Sequence, residues 1–225
     1  MSGRRKPRSR SAEAFIARLQ RSQGVRTLER RHLIVCEDGK SAPAYFKALI
    51  RHFGIHASSV QVVGSKTETS PTQIVDRARK LKEEAESPDS GTVPFDEVWC
   101  VIDGDYGSKQ IGPARTHARR GMIELIVSTP CFEYWILLHF EDSAKPAAEC
   151  KQVVLALGKH IDRYRKGSFD FGSIMNKALI AGDRAGKRRR SAGESTLPED
   201  QNPCSEIYRL VDELRPPATD VKGKA

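Results

Sequence analysis

Short apolar runs alternate with longer amphipathic stretches from residue 32 to about residue 140, and this alternation constrains the fold most strongly. The runs HLIVCE (32–37), SVQVVGS (59–65), EVWCVID (97–103) and IELIVST (123–129) are rich in β-branched and aliphatic residues. They lack a helical period, which predicts strands. Strands that alternate with helices form a mainly parallel sheet covered on both faces, so the predicted fold class is α/β.

The stretches between the strands carry helix signals. SAPAYFKALIRHFG (41–54) has apolar residues at spacings of three and four and ends at Gly54. Ser70 and Pro71 suit the cap and the first position of a second helix. Pro130 opens the almost wholly apolar helix CFEYWILLHF. A loop with a short helix is predicted between the third and fourth strands, and the third strand, as the most apolar, is predicted to be central.

Three regions are predicted from these patterns. Residues 1–31 form a largely disordered basic arm in which a short helix can form, and residues 32–142 form the α/β core. No strand is predicted after about residue 143. Residues 143–225 are therefore predicted to be a helical extension, interrupted by a basic, Gly/Ser-rich loop at 182–201.

The net charge of +9 is concentrated at the start of the chain. Residues 1–31 hold ten Lys/Arg and two Asp/Glu, whereas the remainder holds 28 basic and 27 acidic residues. Such runs attract polyphosphates. The predicted nucleic-acid contacts are Arg4, Arg5 and Lys6 of the arm and a second basic run, Lys187, Arg188, Arg189 and Arg190. The alternative is a solvated tail and loop that aid solubility.

Composition excludes several classes of protein. No apolar stretch reaches the roughly 20 residues of a membrane span, and the basic start lacks the apolar core of a signal peptide, so a cytoplasmic location without membrane contact is expected. Five scattered cysteines without a C-x-x-C pair argue against a disulfide framework or a structural zinc site. Cys36, Cys100 and Cys131 are predicted to be core thiols, and a catalytic role for Cys131 is the alternative. The sequence has no Walker loop and no Gly-x-Gly-x-x-Gly after the first strand.

Acidic residues end two of the predicted strands. Glu37 ends the first strand and Asp103 the third, and Asp105 follows across Gly104. Ligands of parallel sheets bind beyond the carboxyl ends of the strands, and clustered carboxylates repel unless a cation lies among them. If the two strands are neighbours, Glu37, Asp103 and Asp105 form a site for Mg²⁺ (or Mn²⁺), which prefers oxygen ligands. Alternatively, Asp-Gly and Glu-Asp-Gly are ordinary turn sequences.

These motifs resemble a known family. A strand ending in Glu followed by a strand ending in Asp-x-Asp is the pattern of Toprim domains. LIVCEDGKSAPAYFKALI (33–50) and STPCFEYWILLHF (128–140) resemble the RloB-like family, bacterial Toprim-like proteins linked to restriction loci and phage defence, and NPCSEIYRLV (202–211) is loosely similar to its later Asn-Pro motif. The resemblance spans about residues 32–212.

The resemblance implies roles for the acids. Glu37 would be the general acid/base or a metal-side carboxylate, Asp103 and Asp105 would hold Mg²⁺, and Glu133 would be a further catalytic acid. Two positions depart from the family pattern: Ser41-Ala42 stands where Thr-Glu is frequent, and Tyr106-Gly107 stands where an acid and a histidine are frequent.

Some residues have simpler explanations. Glu133 falls in the first turn of a predicted helix, where an anion is favourable, so a buried structural role is the alternative to catalysis. His139 is expected to be a satisfied interior histidine. Lys66, in the loop after the second strand, either approaches a phosphate or lies in an ordinary exposed loop.

Three hypotheses follow for the function. The first is a Mg²⁺-dependent hydrolase of DNA or RNA phosphodiesters in phage defence. The second is a non-catalytic module that binds or regulates a nucleic acid, a nucleotide or a defence-system protein partner, which the two lost acids favour. The third and weakest is a structural scaffold within a defence complex.

Overall fold

The computed structural model describes residues 30–65, 67–68, 70–193 and 196–216. Its sheet has five strands in the order β2-β1-β3-β4-β5. The first four are parallel, and β5 pairs antiparallel with β4. The strands are β1 (His32–Cys36), β2 (Val60–Gly64), β3 (Glu97–Asp103), β4 (Glu124–Thr129) and β5 (Cys204–Ser205).

Seven α-helices and two short 3₁₀ helices accompany these strands in the described part of the chain. The α-helices are α1 (Ser41–His52), α2 (Pro71–Glu86), α3 (Ser108–Arg120), α4 (Phe132–Leu137), α5 (Cys150–Leu157), α6 (Ala178–Ser191) and α7 (Ile207–Leu214). The 3₁₀ helices span Phe171–Lys177 and Pro198–Asp200. At the start of α2 the Ser70 hydroxyl accepts a hydrogen bond from the Gln73 N–H at 3.4 Å, which confirms the predicted cap.

Both faces of the sheet are covered, because the strands bury the side chains on one face as well as the alternate side chains on the other. Ile34 and Cys36 pack on one face with helices α1 and α4–α7, whereas Leu33 and Val35 pack on the other with α2 and α3. Each fully buried aliphatic side chain contributes about 2 kcal/mol to the free energy of unfolding. This two-sided burial explains the continuous apolar runs and confirms the predicted α/β class with its mainly parallel sheet.

Three details differ from the sequence-based expectation. β5 was not predicted, because a two-residue strand carries no periodicity. Helix α3 occupies 13 residues where a loop with a short helix was expected. Residues 182–191 belong to α6 rather than to a basic loop, since Ala178, Ala181 and Ala185 form a buried stripe that packs this helix into the core.

The C-terminal helical region is joined to the sheet. β5 extends the sheet through β4, and the described residues from Arg31 onward belong to one compact unit. Among the described helices, none combines the length and apolarity that crossing a bilayer demands.

Candidate active site

The carboxyl ends of β1 and β3 lie side by side, as the prediction of a shared acidic edge required. The two strands pair in parallel with Cys36 opposite Val101, and the Glu37 N–H continues the ladder by donating to the Val101 carbonyl at 2.9 Å. The Glu37 carboxylate then crosses to β3, where its Oε2 accepts the Asp103 N–H at 2.9 Å. The structure therefore places the Glu37 carboxylate against the backbone of Asp103.

Between Asp103 and Asp105 the chain passes so close to β4 that position 104 requires a glycine. Its N–H donates to the carbonyls of Ser128 and Pro130 at 2.9 and 3.1 Å. A Cβ at this position would lie 2.9 Å from the Cα of Thr129 and would collide with that side chain. Because glycine permits this approach, β3 can end against β4 and still present an acid on each side of the turn.

Glu37 is half-buried and held from both of its oxygens. Oε2 accepts the Asp103 N–H, and Oε1 accepts the Tyr106 hydroxyl at 2.8 Å. Burial raises the pKa of Glu37, the two hydrogen bonds oppose that rise, and the charges of Asp105 and Asp38 add to it. Each carboxylate oxygen has a second lone pair, so both oxygens can still accept a hydrogen bond from water.

The two aspartates of the Asp-Gly-Asp turn differ in exposure. Asp103 is half-buried and its Oδ1 accepts the Phe132 N–H at 2.8 Å, whereas Asp105 is exposed. Burial raises the pKa of Asp103 well above its usual range, and the charges of Glu37 and Glu133 raise it further. Burial also raises the pKa of Asp105. The acids therefore lie close enough to repel one another, which an added cation would relieve.

Glu133 extends this acidic edge from the first turn of α4. Its side chain is fully buried, and Oε2 forms an ion pair with Lys166 Nζ at 3.1 Å. Oε1 lies 3.4 Å from the Ser41 hydroxyl and 3.3 Å from the Tyr164 hydroxyl, both of which can donate. Sequence reasoning missed Lys166, Tyr164 and Ser41 as members of the site, because no periodic pattern marks the contacts that bring them to Glu133.

His139 lies in the core, as expected. Its ring stacks edge-on with Tyr45 and Trp135, and its two nitrogens lie 3.1 Å from the Tyr45 hydroxyl and 3.0 Å from the Trp135 carbonyl. Burial lowers its pKa to about 4. A neutral imidazole with both nitrogens satisfied is a structural residue.

The expectation about cysteines was wrong for one pair. Cys131 and Cys150 form a disulfide beside Glu133, so Cys131 is not a core thiol. The loop between α4 and α5 brings together two residues 19 positions apart, a pairing that sequence spacing could not reveal. Cys36 and Cys100 are buried free thiols, as predicted.

The donor set at the acidic edge suits Mg²⁺ in its chemistry. Among the described side chains, the one group of three metal-ligand types with atoms all within 4.8 Å of one another is Cys131, Glu133 and Cys150. The oxygens of Glu37, Asp103 and Asp105 are therefore more widely spaced. Mg²⁺ usually keeps several waters and takes one or two carboxylates, so it does not require all three carboxylates within that distance.

The predicted nucleic-acid contacts have different structural settings. Arg4, Arg5, Lys6 and Lys66 lie outside the described residues. In α6, Arg188 pairs with Asp142 at 2.7 Å and Arg189 donates to the Thr196 carbonyl at 2.7 Å, so both hold the fold. Lys187 and Arg190 are exposed in the same turn of α6.

A family model described as RloB-like protein matches residues 32–214, which include every strand of the described sheet and the whole acidic edge. No curated protein and no solved structure matches the chain.

Proposed function

This chain belongs to the RloB-like protein family, and from the acidic edge of its sheet we propose that it is a Mg²⁺-dependent hydrolase of nucleic-acid phosphodiesters, of the Toprim type. The observation that carries the proposal is the hydrogen bond from the Asp103 N–H to the Glu37 carboxylate, which places Glu37 beside Asp103 at the ends of neighbouring parallel strands. The fold supplies this contact without pairing either carboxylate to an arginine within hydrogen-bonding distance among the described residues.

Each acid has a chemical task in this proposal. Asp103 and Asp105 would hold the divalent ion, which supplies a Lewis acid at the phosphate. Glu37 accepts a proton from the attacking water, whose oxygen forms the new P–O bond. The ester P–O bond breaks, and its oxygen leaves as an alcohol with a proton from solvent. The raised pKa of Glu37 suits this task, because a base works best with a pKa closer to neutral pH.

The test is cleavage of labelled single- and double-stranded DNA and RNA by purified protein with Mg²⁺ or Mn²⁺. Wild-type protein should cleave at least one substrate and should lose activity with chelator. Asp103→Asn should be inactive, whereas Asp89→Asn, which makes the same change in an exposed loop, should remain active. Equal activity in both variants would indicate a contaminating nuclease and would remove the proposal.

A binding or regulatory module is the second candidate, and two observations favour it. Glu133 is already neutralised by Lys166, and Ala42, at the position where the family pattern frequently has an acid, is buried at the start of α1. A calorimetric titration with Mg²⁺ separates the candidates. A heat of Mg²⁺ binding that is present in wild type and absent from Asp105→Asn supports a metal-dependent site. No heat of binding in either protein supports the binding or regulatory module.

The resemblance to proteins of restriction loci leads us to propose a role in phage defence, with a nucleic acid as target and a partner protein from the same locus. The test is phage plating on cells that express wild type or Asp103→Asn together with the neighbouring genes. Protection by wild type alone supports a defence role that needs the acidic edge, and equal plating on both strains argues against it.

A further inference from the structure

One ammonium group reaches the acidic edge from the C-terminal helical region. Lys166 Nζ lies 3.1 Å from Glu133 Oε2 while 45% of the lysine side chain stays exposed. Burial raises the pKa of Asp103 and of Asp105, and the Lys166 charge opposes this rise at both residues. The ammonium therefore contacts the buried Glu133 carboxylate while part of its side chain stays in solvent.

The chain fixes the position of Lys166 from both sides. Before it, the Tyr164 hydroxyl lies 3.3 Å from Glu133 Oε1. After it, Gly167 adopts a φ of +80°, and a Cβ there would lie 2.8 Å from the Cβ of Lys40. The segment around Lys166 is thus seated against the loop between β1 and α1, which a solvated surface lysine would not require.

A structural ion pair is the simplest alternative, and this molecule shows what one looks like. Arg115 neutralises the fully buried Glu199 at 2.6 Å with a side chain that is only 16% exposed. Lys166 is far more exposed, with 45% of its side chain accessible to solvent. Lysine is a compact charge on a flexible stem that can move between partners, whereas arginine holds one partner in a planar fork.

We propose that Lys166 contacts a non-bridging oxygen of the bound phosphodiester and stabilises the charge that develops there, with Glu133 and Tyr164 holding it in position. This inference rests on the proposed hydrolase function and adds the phosphate contact to it. A phosphate approaching this edge meets mostly carboxylates, and the positive charge of Lys166 attracts it there. Preorganised cations of this kind act chiefly on the transition state.

The experiment compares Lys166→Gln, Lys166→Arg and the control Lys159→Gln, an exposed lysine just after α5. Lys166→Gln leaves the buried Glu133 carboxylate without its ion pair, so a melting curve of each variant accompanies the kinetics, and Lys166→Arg keeps the charge. We expect Lys166→Gln to lower kcat/KM by about a hundredfold, mostly in kcat. Lys166→Arg should recover most of this loss, and Lys159→Gln should behave as wild type.

Mn²⁺ affinity separates a phosphate contact from a structural role. Removing a positive charge from beside the carboxylates should leave Mn²⁺ binding by Lys166→Gln as tight as in wild type or tighter. A structural lysine would disturb the site, so weaker Mn²⁺ binding would overturn the inference. Unchanged kcat/KM in Lys166→Gln, measured beside an active wild type, would overturn it too.

Failure of the hydrolase proposal gives a different result. If wild type cleaves nothing, binding of fluorescein-labelled single-stranded DNA and RNA oligonucleotides in Ca²⁺ decides the role of Lys166. An affinity about tenfold lower in Lys166→Gln supports the phosphate contact, because removing one charged hydrogen bond changes affinity by about that factor. Equal affinities, or no binding by wild type, would overturn it.

Discussion

Two regions of this molecule are rich in acids, and their negative charges are compensated differently. At the acidic edge, Glu37, Asp103 and Asp105 follow or end strands β1 and β3, and Glu133 pairs with Lys166 at 3.1 Å. Beside β4 and β5, Glu199 pairs with Arg115 at 2.6 Å and Glu206 lies 3.6 Å from Arg209.

The two regions differ in how their positive charges compensate the carboxylates. Burial raises the pKa of Glu206, but Arg115 and Arg209 oppose it, and the Glu206 carboxylate also accepts the Val127 N–H. At the acidic edge the charges of Glu37 and Glu133 instead add to the effect of burial on the pKa of Asp103. Functional sites typically retain repulsion between like charges even though it lowers stability, and shifted pKa values are concentrated at such sites.

The largest effect is expected for Asp103→Asn. Activity with Mg²⁺ should fall by about a thousandfold, because a metal ligand is removed. The melting temperature should rise, since asparagine can still accept the Phe132 N–H and no longer repels Glu37 and Glu133. Calorimetry and a cleavage assay on the same preparation measure both. Lower stability of the variant would contradict the idea that this carboxylate is under-compensated.

The other region should respond in the opposite way. Arg115→Met leaves the buried Glu199 without its partner and should reduce the free energy of unfolding by about 3 kcal/mol, with kcat/KM unchanged. Urea denaturation measures the loss. The control is the double variant Arg115→Met, Glu199→Leu, which removes both charges and should recover most of the stability. A large loss of activity in folded Arg115→Met would contradict the idea that this region stabilises the fold while the acidic edge serves activity.

Stability should also depend on pH in a way that identifies Asp103. Its pKa in the folded protein lies above the usual value of 3.8, so above that value the folded state binds more protons than the unfolded chain. The free energy of unfolding then decreases as pH rises through this window, and Asp103→Asn removes that decrease. The stability difference between variant and wild type should therefore grow with pH.

Urea titrations between about pH 4 and about pH 8 test this window. Other groups titrate in the same experiment. For Glu68, hydrogen bonds from Ser65, Thr67 and Arg77 keep the pKa at about 2, against the effect of burial. Groups that do not interact with Asp103 contribute equally in the two proteins and cancel in the difference, whereas Glu37 interacts with Asp103 and its titration enters the difference. A difference that is constant across the range would show that Asp103 is fully compensated in the fold.

Most of the architecture followed from local pattern, because the strands at the centre of a covered parallel sheet must be apolar on both faces. β3 illustrates this: its residues 98–102 are all buried, and it lies at the centre as predicted. Glu37 and Asp103 were predictable for a related reason, since parallel strands end at a common edge.

The site residues that were not predicted depend on tertiary contacts, which leave no periodic pattern in the sequence. Lys166 and Tyr164 reach Glu133 from an irregular segment, and Cys131 meets Cys150 across a loop. The basic run in α6 was assigned to a loop from the basic, Gly/Ser-rich composition of residues 182–201, although the buried alanines at helical spacing were the better signal. Tertiary packing decided these cases.

A smaller effect is expected from Tyr106→Phe, which removes the hydroxyl donor to Glu37 Oε1. Losing one hydrogen bond of about 1 kcal/mol should lower kcat about fivefold. That hydrogen bond lowers the Glu37 pKa against the effect of burial, so the acid limb of the pH–rate profile should move to higher pH in the variant. An acid limb at the same pH as in wild type would show that Glu37 is not the titrating base.

The smallest effect concerns the basic turn of α6, where the same contrast between paired and exposed charges recurs. Replacing the exposed Lys187 and Arg190 by alanine should leave stability unchanged and should reduce the dependence of oligonucleotide affinity on salt, by roughly 0.7 in logarithmic slope for each phosphate that the variant no longer neutralises. Arg188→Ala should instead lower stability, because its pair with Asp142 is broken. Fluorescence anisotropy at several salt concentrations measures the slope. If the double variant keeps the wild-type slope, nucleic acid does not bind at this turn, and the contribution of α6 is to the fold alone.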